Sequence, residues 1–210
     1  MSEDPASVGR KLQEYLGIPG RPVGVKVLRP GEVLNESGFE HLAAPAPFCR
    51  FVSEAAKGKN FIMRLDDLKC NNAELTLGLR EPRYGEIELR IPGKVEALRI
   101  GPLGGADVVM LVVQPGHVMT AAIIIENIQQ RFRRNRAVCG DSMAEVFNSG
   151  QPRITFLCVG SRTSGGFYND EMVLSIPYSQ FMELSPKMGK LAQMSRKAQD
   201  GLTHRLAKIH

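Results

Sequence analysis

The amino-acid sequence predicts an α+β (mixed α/β) fold made of two pseudo-symmetric halves from an internal duplication, followed by a long C-terminal helix. Three observations lead to this prediction: helix-like and strand-like segments alternate in short units, landmarks recur about 85 residues apart, and a helical apolar spacing runs to the end of the chain. We expect one compact domain with four parts, which are an N-terminal helix (1–21), a first half (22–101), a second half (102–186) and a C-terminal amphipathic helix (187–210).

The predicted helices rest on apolar residues repeated at helical spacing, with glycine or proline where the spacing ends. In chain order they are Ala6–Leu16, Arg50–Lys57, Cys70–Leu77, Val118–Phe132, Cys139–Asn148 and Met188–Ile209. Val118–Phe132 carries the clearest signal, with Ile124, Ile125, Ile128 and Phe132 as its core face. The C-terminal helix has no counterpart in the first half, so we expect it to pack across both halves or to dock a second subunit in a homodimer.

The predicted strands are apolar or alternating runs bounded by turn residues. In chain order they are Pro22–Leu28, Asn60–Arg64, Ile87–Ile91, Val95–Ile100, Val108–Val113, Arg153–Val159 and Met172–Ile176. Val108–Val113 is apolar throughout, which is typical of a strand in the centre of a sheet. Asn35–Pro47 and the glycine-rich runs Gly101–Asp107 and Gly160–Tyr168 are predicted to be loops or turns.

The two halves repeat three landmarks in the same order. Val23–Leu34 and Val108–Met119 each contain an apolar strand that runs into Pro-Gly and then an apolar residue. Tyr84–Pro92 and Tyr168–Pro177 each end in Ile-Pro, and a pair of cysteines lies between these landmarks in each half. Single matches of this kind are common, so the shared order and spacing carry the argument for a duplicated unit.

Four cysteines form two matched pairs, Cys49 with Cys70 and Cys139 with Cys158, separated by 21 and 19 residues. If the halves pack face to face, the four thiols converge and form a ligand shell for an iron–sulfur cluster, with zinc as the second choice. The pairs lack the close C-x₂-C spacing of most such sites and have apolar neighbours, so packing cysteines are the alternative. A nucleophilic cysteine is a weaker alternative, and the sequence does not decide whether the protein is an enzyme.

A second candidate site consists of residues that follow the cysteines. Ser161 and Arg162 come directly after the last cysteine in a glycine-rich run, and Arg80 occupies a comparable place in the first half. Backbone N–H groups, a hydroxyl and a guanidinium suit an anionic ligand, whereas a flexible surface loop is the alternative. Gly101–Asp107 lacks the strand–helix context of a dinucleotide-binding fingerprint, and the four histidines form no recognisable catalytic pattern.

The charge and the termini limit the classes of partner. The net charge is +5, with basic residues concentrated in Arg131–Arg136 and after Lys187. Nucleic acid is an unlikely partner, because no recognition motif or interleaved aromatic residue accompanies the basic runs. No apolar run reaches membrane-spanning length, and the N-terminus lacks the features of a signal peptide. We therefore expect a cytoplasmic protein without a membrane partner, in which the cysteines are reduced or metal-bound.

Several short elements accompany the order of the four cysteines, namely Phe48–Arg50, Ala55–Gly58, Leu77–Leu79, Ile100–Leu103, Asp107–Val109, Cys158–Arg162 and Glu171–Pro177. In these elements the chain resembles the family of domain of unknown function 169, also called the ArCR family, over all but its ends. Asn71 and Asn72 stand where members often have two glycines. The family is common in anaerobes. The resemblance implies that the four cysteines belong to a shared site, but it implies no reaction.

The residues and the resemblance together favour a cytoplasmic [4Fe–4S] protein of an anaerobe. We expect it to act in electron transfer or redox sensing, with a redox protein as its partner. The alternative is a small-molecule binding or regulatory module that holds an anionic ligand and whose cysteines are structural.

Overall fold

The computed structural model describes residues 3–32, 36–82, 89–125, 129–130 and 139–189. Its strands are β1 (Val23–Leu28), β2 (Phe61–Met63), β3 (Ala97–Gly101), β4 (Val108–Val113), β5 (Gln129–Gln130), β6 (Arg153–Thr155) and β7 (Met172–Pro177). Its α-helices are α1 (Pro5–Leu16), α2 (Phe48–Ala56), α3 (Asn71–Thr76), α4 (Pro115–Ala121), α5 (Cys139–Ser149), α6 (Val159–Thr163) and α7 (Tyr178–Met182). Leu65–Asp67 is a 3₁₀ turn, and residues 184–189 are also helical. The class is mixed α+β, as predicted.

The sheet is symmetric about its central pair of strands. Within the described ranges seven strands form one sheet in the order β2-β3-β1-β4-β7-β6-β5. β1 and β4 pair antiparallel at its centre, with Gly24 opposite Val109. On either side the last strand of the half lies beside the central one, β3 beside β1 and β7 beside β4, and β2 or β6 lies outside it, again antiparallel. We call residues 23–101 the first lobe and residues 108–177 the second lobe.

The lobes also correspond at their outer edges and in their turns. β5 runs parallel to β6 at one edge, and an isolated parallel bridge joins Glu40 to Phe61 of β2 at the other. Gly78 and Gly166 stand eight residues after the second cysteine of their lobes and have φ angles of 76° and 77°. Each takes a left-handed conformation that suits glycine, so the two chain segments turn in the same way.

The two faces of the sheet are covered by different helices. On one face, alternate residues of the central strands pack under α2, α3 and α5, and they are Val23, Val25, Val27, Val108 and Met110. On the opposite face, the intervening residues of β4 and β7 pack against α1 and α7 in a second core. α1 begins after Asp4, whose carboxylate accepts the N–H of Ser7, and ends at Gly17 with φ 70°. The helices that carry Cys49 and Cys139 therefore share one face.

The prediction of a helix over Val118–Phe132 is wrong beyond α4. Residues 122–125 are not helical, and the short strand β5 follows them. Ile124 and Ile125 are buried in the second core, so their apolar character reflects packing rather than a helix face. Consecutive β-branched residues also have a weak helix propensity. Ile128 and Phe132 lie outside the described residues.

Three strand and loop predictions also need correction. The strand predicted over Arg153–Val159 ends at Thr155, and α6 begins where the Gly160–Tyr168 loop was expected. Residues 89–91 are not in a strand, and the rest of the predicted strand Ile87–Ile91 lies outside the described part. The Ile-Pro landmarks are not equivalent, because Pro177 ends β7 whereas Pro92 precedes β3 outside any strand. The counterpart of β7 is β3.

Two predictions fall largely outside the described ranges. The cluster Arg131–Arg136 lies there, as does the predicted C-terminal helix from residue 190 onward, together with the homodimer contact that we assigned to it. Met188 is described, and it is buried in the second core. Among the helices that the structure describes, none is long and apolar enough to span a membrane.

Candidate metal centre

All four cysteines lie at the start of a helix. Cys139 is the first residue of α5, and Cys49 is the second residue of α2. Cys70 and Cys158 precede α3 and α6 and cap them with extended backbone conformations. The first N–H groups of a helix lack partners within it, and in the longer helices α2 and α5 they carry the positive end of a dipole that favours a negative sulfur. Equivalent cysteines thus occupy equivalent positions in the two lobes.

The four cysteines line a single cavity of about 400 Å³, which we call the thiol cavity. Its other lining residues are Pro45, Ala46, Pro47, Phe48, Lys69, Ala73, Gly140, Gly160 and Ser164. This volume lies at the small end of the range for cofactor and ligand sites. The described lining residues include no histidine and no carboxylate, so the metal ligands that the cavity offers are thiols.

Close packing between the lobes forms the thiol cavity. α3 of the first lobe packs against α5 of the second, where the side-chain amide of Asn72 donates to Asp141 Oδ1 at 2.9 Å. Gly140 permits this approach, since a Cβ there would lie 3.1 Å from Thr76 Oγ1. The chain after α6, which belongs to the second lobe, in turn lies against α2 of the first lobe. A Cβ at Gly165 would be only 2.6 Å from Cys49 Sγ, so glycine is required at this crossing.

The predicted ligand-binding residues take three different positions. Ser161 is fully buried at the thiol cavity, and its Oγ lies 3.4 Å from Cys158 Sγ. The Arg162 guanidinium donates instead to the backbone carbonyls of Phe156, Glu171 and Tyr168 and so fastens the chain around α6. Arg80 follows the far end of α3 and pairs with Glu74 at 3.5 Å. Only Ser161 of the three therefore touches a cysteine sulfur in the hydrogen bonds described.

Burial raises the pKa of Cys49, Cys70 and Cys139 and so makes these three thiols weaker acids. Burial raises the pKa of Cys49 to about 11, against the opposing effect of a hydrogen bond from Ser161. Burial also raises the pKa of Cys139 well above its usual value, and the neighbouring thiols act in the same direction. The pKa of Cys70 is raised by burial too, although the N–H groups of Ala73 and Asn72 oppose the shift. A metal that binds here must therefore displace protons.

The donor set of the thiol cavity suits a soft metal, but the side chains are not yet in ligand positions. Thiolates select zinc, copper(I) and iron–sulfur clusters. Among the described residues, no group of three or more His, Cys, Asp or Glu side chains is arranged to hold a metal ion.

The fold and the site define a class of protein before any comparison: an α+β protein of two similar lobes with a thiol-lined cavity between them. The chain belongs to the family of domain of unknown function 169 (DUF169, uncharacterised ArCR), as the sequence resemblance predicted. The family model covers the chain in two repeats, matching residues 11–90 and again residues 86–186. The first match contains Cys49 and Cys70, and the second contains Cys139 and Cys158. No curated protein and no solved structure matches the chain.

Sequence reasoning missed the residues that bring the lobes together. Gly140 and Gly165 each allow a close approach, and Lys69 places a positive charge in the wall of the thiol cavity. Each of these three residues is either next to a cysteine in the sequence or separated from one by a single short helix. A pattern of glycine near every cysteine of the second lobe was visible in the sequence, but the contacts that need it come from the other lobe and leave no local signal.

Proposed function

We propose that the protein binds a [4Fe–4S] cluster through Cys49, Cys70, Cys139 and Cys158 and acts in electron transfer or redox sensing. The observation that carries the proposal is the single cavity that all four cysteines line, two from each lobe. A cluster takes one thiolate on each of its four iron atoms, so the count and the donor type agree. The bound cluster would supply the redox chemistry, and the protein would supply ligands, burial and charge.

The charges around the thiol cavity support an anionic cluster. A cluster with four thiolate ligands carries a net negative charge, and positive groups nearby stabilise it. The starts of α2 and α5 face the cavity, and Lys69 lines it. The side chains of Glu and Asp, which would oppose such a charge, are absent from the described lining.

The exposure of the cysteines favours electron transfer over a purely structural role. Cys49 and Cys139 are buried, whereas Cys70 and Cys158 are only partly covered and adjoin the exposed residues Lys69 and Gly160. One edge of the cluster would therefore approach the surface, where a redox protein could dock and exchange electrons over a short distance.

Anaerobic reconstitution with ferrous iron and sulfide tests the proposal. We expect about four irons and four sulfides per chain, a broad visible absorption and a paramagnetic signal on reduction. Each single Cys→Ser variant should retain less than half of the iron. The matched control is Ser164→Ala, which alters a non-thiol residue of the same cavity and should load normally. A colourless, iron-free protein contradicts the proposal, and stoichiometric zinc that resists replacement by iron would make the site a zinc site.

A further inference from the structure

A second cavity, of about 410 Å³, lies at the other end of α2 from Cys49. We call it the α2 cavity. Its walls are the turn after α1, the last turns of α2, the end of β4 with the start of α4, and the chain that follows α6. The lining residues are Gly17, Pro19, Gly20, Ser53, Ala56, Lys57, Val112, Val113, Gln114, His117, Gly166, Tyr168 and Glu171.

At the equivalent place, where the last turns of α5 meet the residue that follows β1, large side chains stand on the helix. The eighth residue after the first cysteine of each lobe is Lys57 or Phe147, and the fourth is Ser53 or Met143. Met143 is fully buried, and Phe147 packs at the edge of the first core. On α5, methionine and phenylalanine thus occupy the positions that serine and lysine hold on α2.

The residue that follows the adjacent strand also differs between the two places. The residue after β1 is Arg29, and the residue after β4 is Gln114. The Arg29 guanidinium lies over the Phe147 ring, 6.0 Å from its centroid, and donates to the carbonyls of Pro92 and Lys94. Gln114 instead lines the open cavity. Three differences between equivalent positions thus accompany a polar cavity beside α2 that has no such lining beside α5.

The α2 wall of this cavity carries positive charge, and the start of α4 adds a hydrogen-bond donor. Lys57 Nζ lies 3.0 Å from Glu54 Oε1, but Arg50 and Lys59 contact the same carboxylate at 3.1 and 3.0 Å. Three cations therefore share one anion. His117 Nδ1 accepts the backbone N–H of Gln114 at 3.0 Å, which leaves its Nε2–H as a donor.

The facing wall carries negative charge. Glu171 lines the cavity, and one of its carboxylate oxygens accepts the N–H of Tyr168 at 2.6 Å, which fixes the side chain in place. Asp170 accepts the side-chain amide of Gln114 at 2.6 Å on the same side. Between the charged walls lie apolar surfaces of Ala56, Val112 and Val113. The cavity therefore has a cationic pole, an anionic pole and an apolar floor.

We propose that the α2 cavity binds a small zwitterion of amino-acid size, with its carboxylate toward Lys57 and His117, its amine toward Glu171 and its apolar part against Val112 and Val113. Opposite charges on the two poles match such a ligand better than a simple anion, which Glu171 would repel. This binding site is separate from the thiol cavity and does not depend on a metal. The two cavities share α2, because Ser53 lies one turn after Cys49.

Three related probes test the proposal on the full chain by isothermal titration calorimetry. L-Leucine has both charged groups, 4-methylpentanoate lacks the amine and 3-methylbutylamine lacks the carboxylate. We expect leucine to bind at least about tenfold more tightly than either fragment, because each pole adds a charged hydrogen bond. Equal affinities for leucine and 4-methylpentanoate, or no binding of leucine up to about 10 mM, overturn the zwitterion proposal.

Two substitutions locate the binding site. Ser53→Met installs the residue that α5 carries at the equivalent position and should fill the cavity, so leucine affinity should fall by at least about tenfold. Lys57→Met should weaken leucine more than 3-methylbutylamine. Its matched control is Lys59→Met, which loses the same contact with Glu54 but does not line the cavity. Unchanged affinity in both Lys57→Met and Ser53→Met overturns the assignment, and if Ser53→Met does not fold, the pair Lys57→Met and Lys59→Met decides.

Discussion

The two lobes share the arrangement of their strands and helices but differ in the side chains and helices that pack against it. Both place a strand at the centre of the sheet, start a helix at the first cysteine and cap a short helix with the second. They differ on the opposite face, where α1 and α7 cover β4 and β7 but not the strands of the first lobe. The shared features converge on the thiol cavity, whereas the differences produce the α2 cavity. Symmetry therefore builds the metal centre that we propose, and asymmetry builds the second binding site.

The largest effect is expected at the strand position that the two lobes use most differently. Gly24 and Val109 are the second residues of β1 and β4 and lie opposite each other. A Cβ at Gly24 would overlap the carbonyl oxygen of Pro102 and lie 2.9 Å from Leu103 Cα. Because these are backbone atoms, Gly24→Ala should lower the free energy of unfolding by about 3 kcal/mol or more in urea denaturation.

The matched substitution in the second lobe is Val109→Ala, which removes a buried side chain from the second core. Its cost should be smaller, about 2 kcal/mol, because it loses apolar contacts without forcing the backbone apart. A Gly24→Ala variant as stable as the wild type would show that the chain around Pro102 yields easily, and the contrast between the lobes would fail there.

The next effect is a pH dependence at a position that carries a titratable side chain in the first lobe but not in the second. Burial raises the pKa of Glu54, but the contacts with Lys59, Lys57 and Arg50 outweigh it, so the pKa lies below the usual value of 4.5. A carboxylate with a lowered pKa stabilises the fold above its unfolded-state pKa, and this stabilisation is lost as the pH falls below about 4.5. The fifth residue after the first cysteine of the second lobe is Ala144, which cannot titrate.

Glu54→Gln should therefore lower the free energy of unfolding at pH 7 by about 2 kcal/mol and flatten its decline below pH 4.5. Denaturation curves at a series of pH values measure both effects. Glu14→Gln changes an exposed residue of α1 and serves as the control. Equal acid sensitivity of Glu54→Gln and the wild type would mean that other groups carry the pH dependence.

The arrangement of strands and cysteines that the two lobes share could be predicted because its pattern occurs twice in the sequence. The Pro-Gly landmarks correctly identified β1 and β4 as equivalent strands, and the helices predicted at Cys49, Cys70 and Cys139 correspond to α2, α3 and α5, whereas the helix after Cys158 was not predicted. The Ile-Pro landmark failed because proline ends a strand in one lobe and precedes one in the other. Local patterns record where a chain turns, and they do not record which strand the turn belongs to.

The sites were less predictable because their walls come from distant parts of the chain. The shared position of the four cysteines follows from the repeat, but Gly165 reaches Cys49 across more than one hundred residues, and nothing near Cys49 indicates it. Arg162 looked like a ligand residue, yet it meets three backbone carbonyls that no sequence pattern specifies. α6 was predicted to be a loop because glycine, serine and threonine are poor helix formers, yet the chain forms a five-residue helix there.

Thiol reactivity should divide the cysteines by their position in the lobe rather than by lobe. Cys49 and Cys139 are 4% and 0% exposed, and burial raises the pKa of both. Cys70 and Cys158 are more accessible. In the metal-free protein, iodoacetamide should therefore modify Cys70 and Cys158 at least about tenfold faster, as mapped by peptide mass spectrometry. Rapid modification of Cys139 at neutral pH would favour the nucleophilic cysteine that the sequence left as an alternative.

The smallest effect concerns the contact of Arg29 with Phe147, at the place equivalent to the α2 cavity. Arg29→Gln gives this lobe the residue that stands at the equivalent place beside the α2 cavity. The variant loses two hydrogen bonds, at 2.8 and 3.1 Å, and the contact of the guanidinium with Phe147. Because these hydrogen bonds are exposed to solvent, the free energy of unfolding should fall by only about 1 kcal/mol.

The control for this substitution is Arg10→Gln, which removes the same charge from the exposed side of α1. If Arg29→Gln is no less stable than Arg10→Gln, the guanidinium does not help to close the space between α5 and the end of β1. The difference from the α2 cavity would then rest on Met143 and Phe147 of α5 alone, because they stand at the positions that Ser53 and Lys57 hold at the α2 cavity. Combining Arg29→Gln with Phe147→Lys would test this, since the double variant should have an open space beside α5 only if the phenyl ring is the group that fills it.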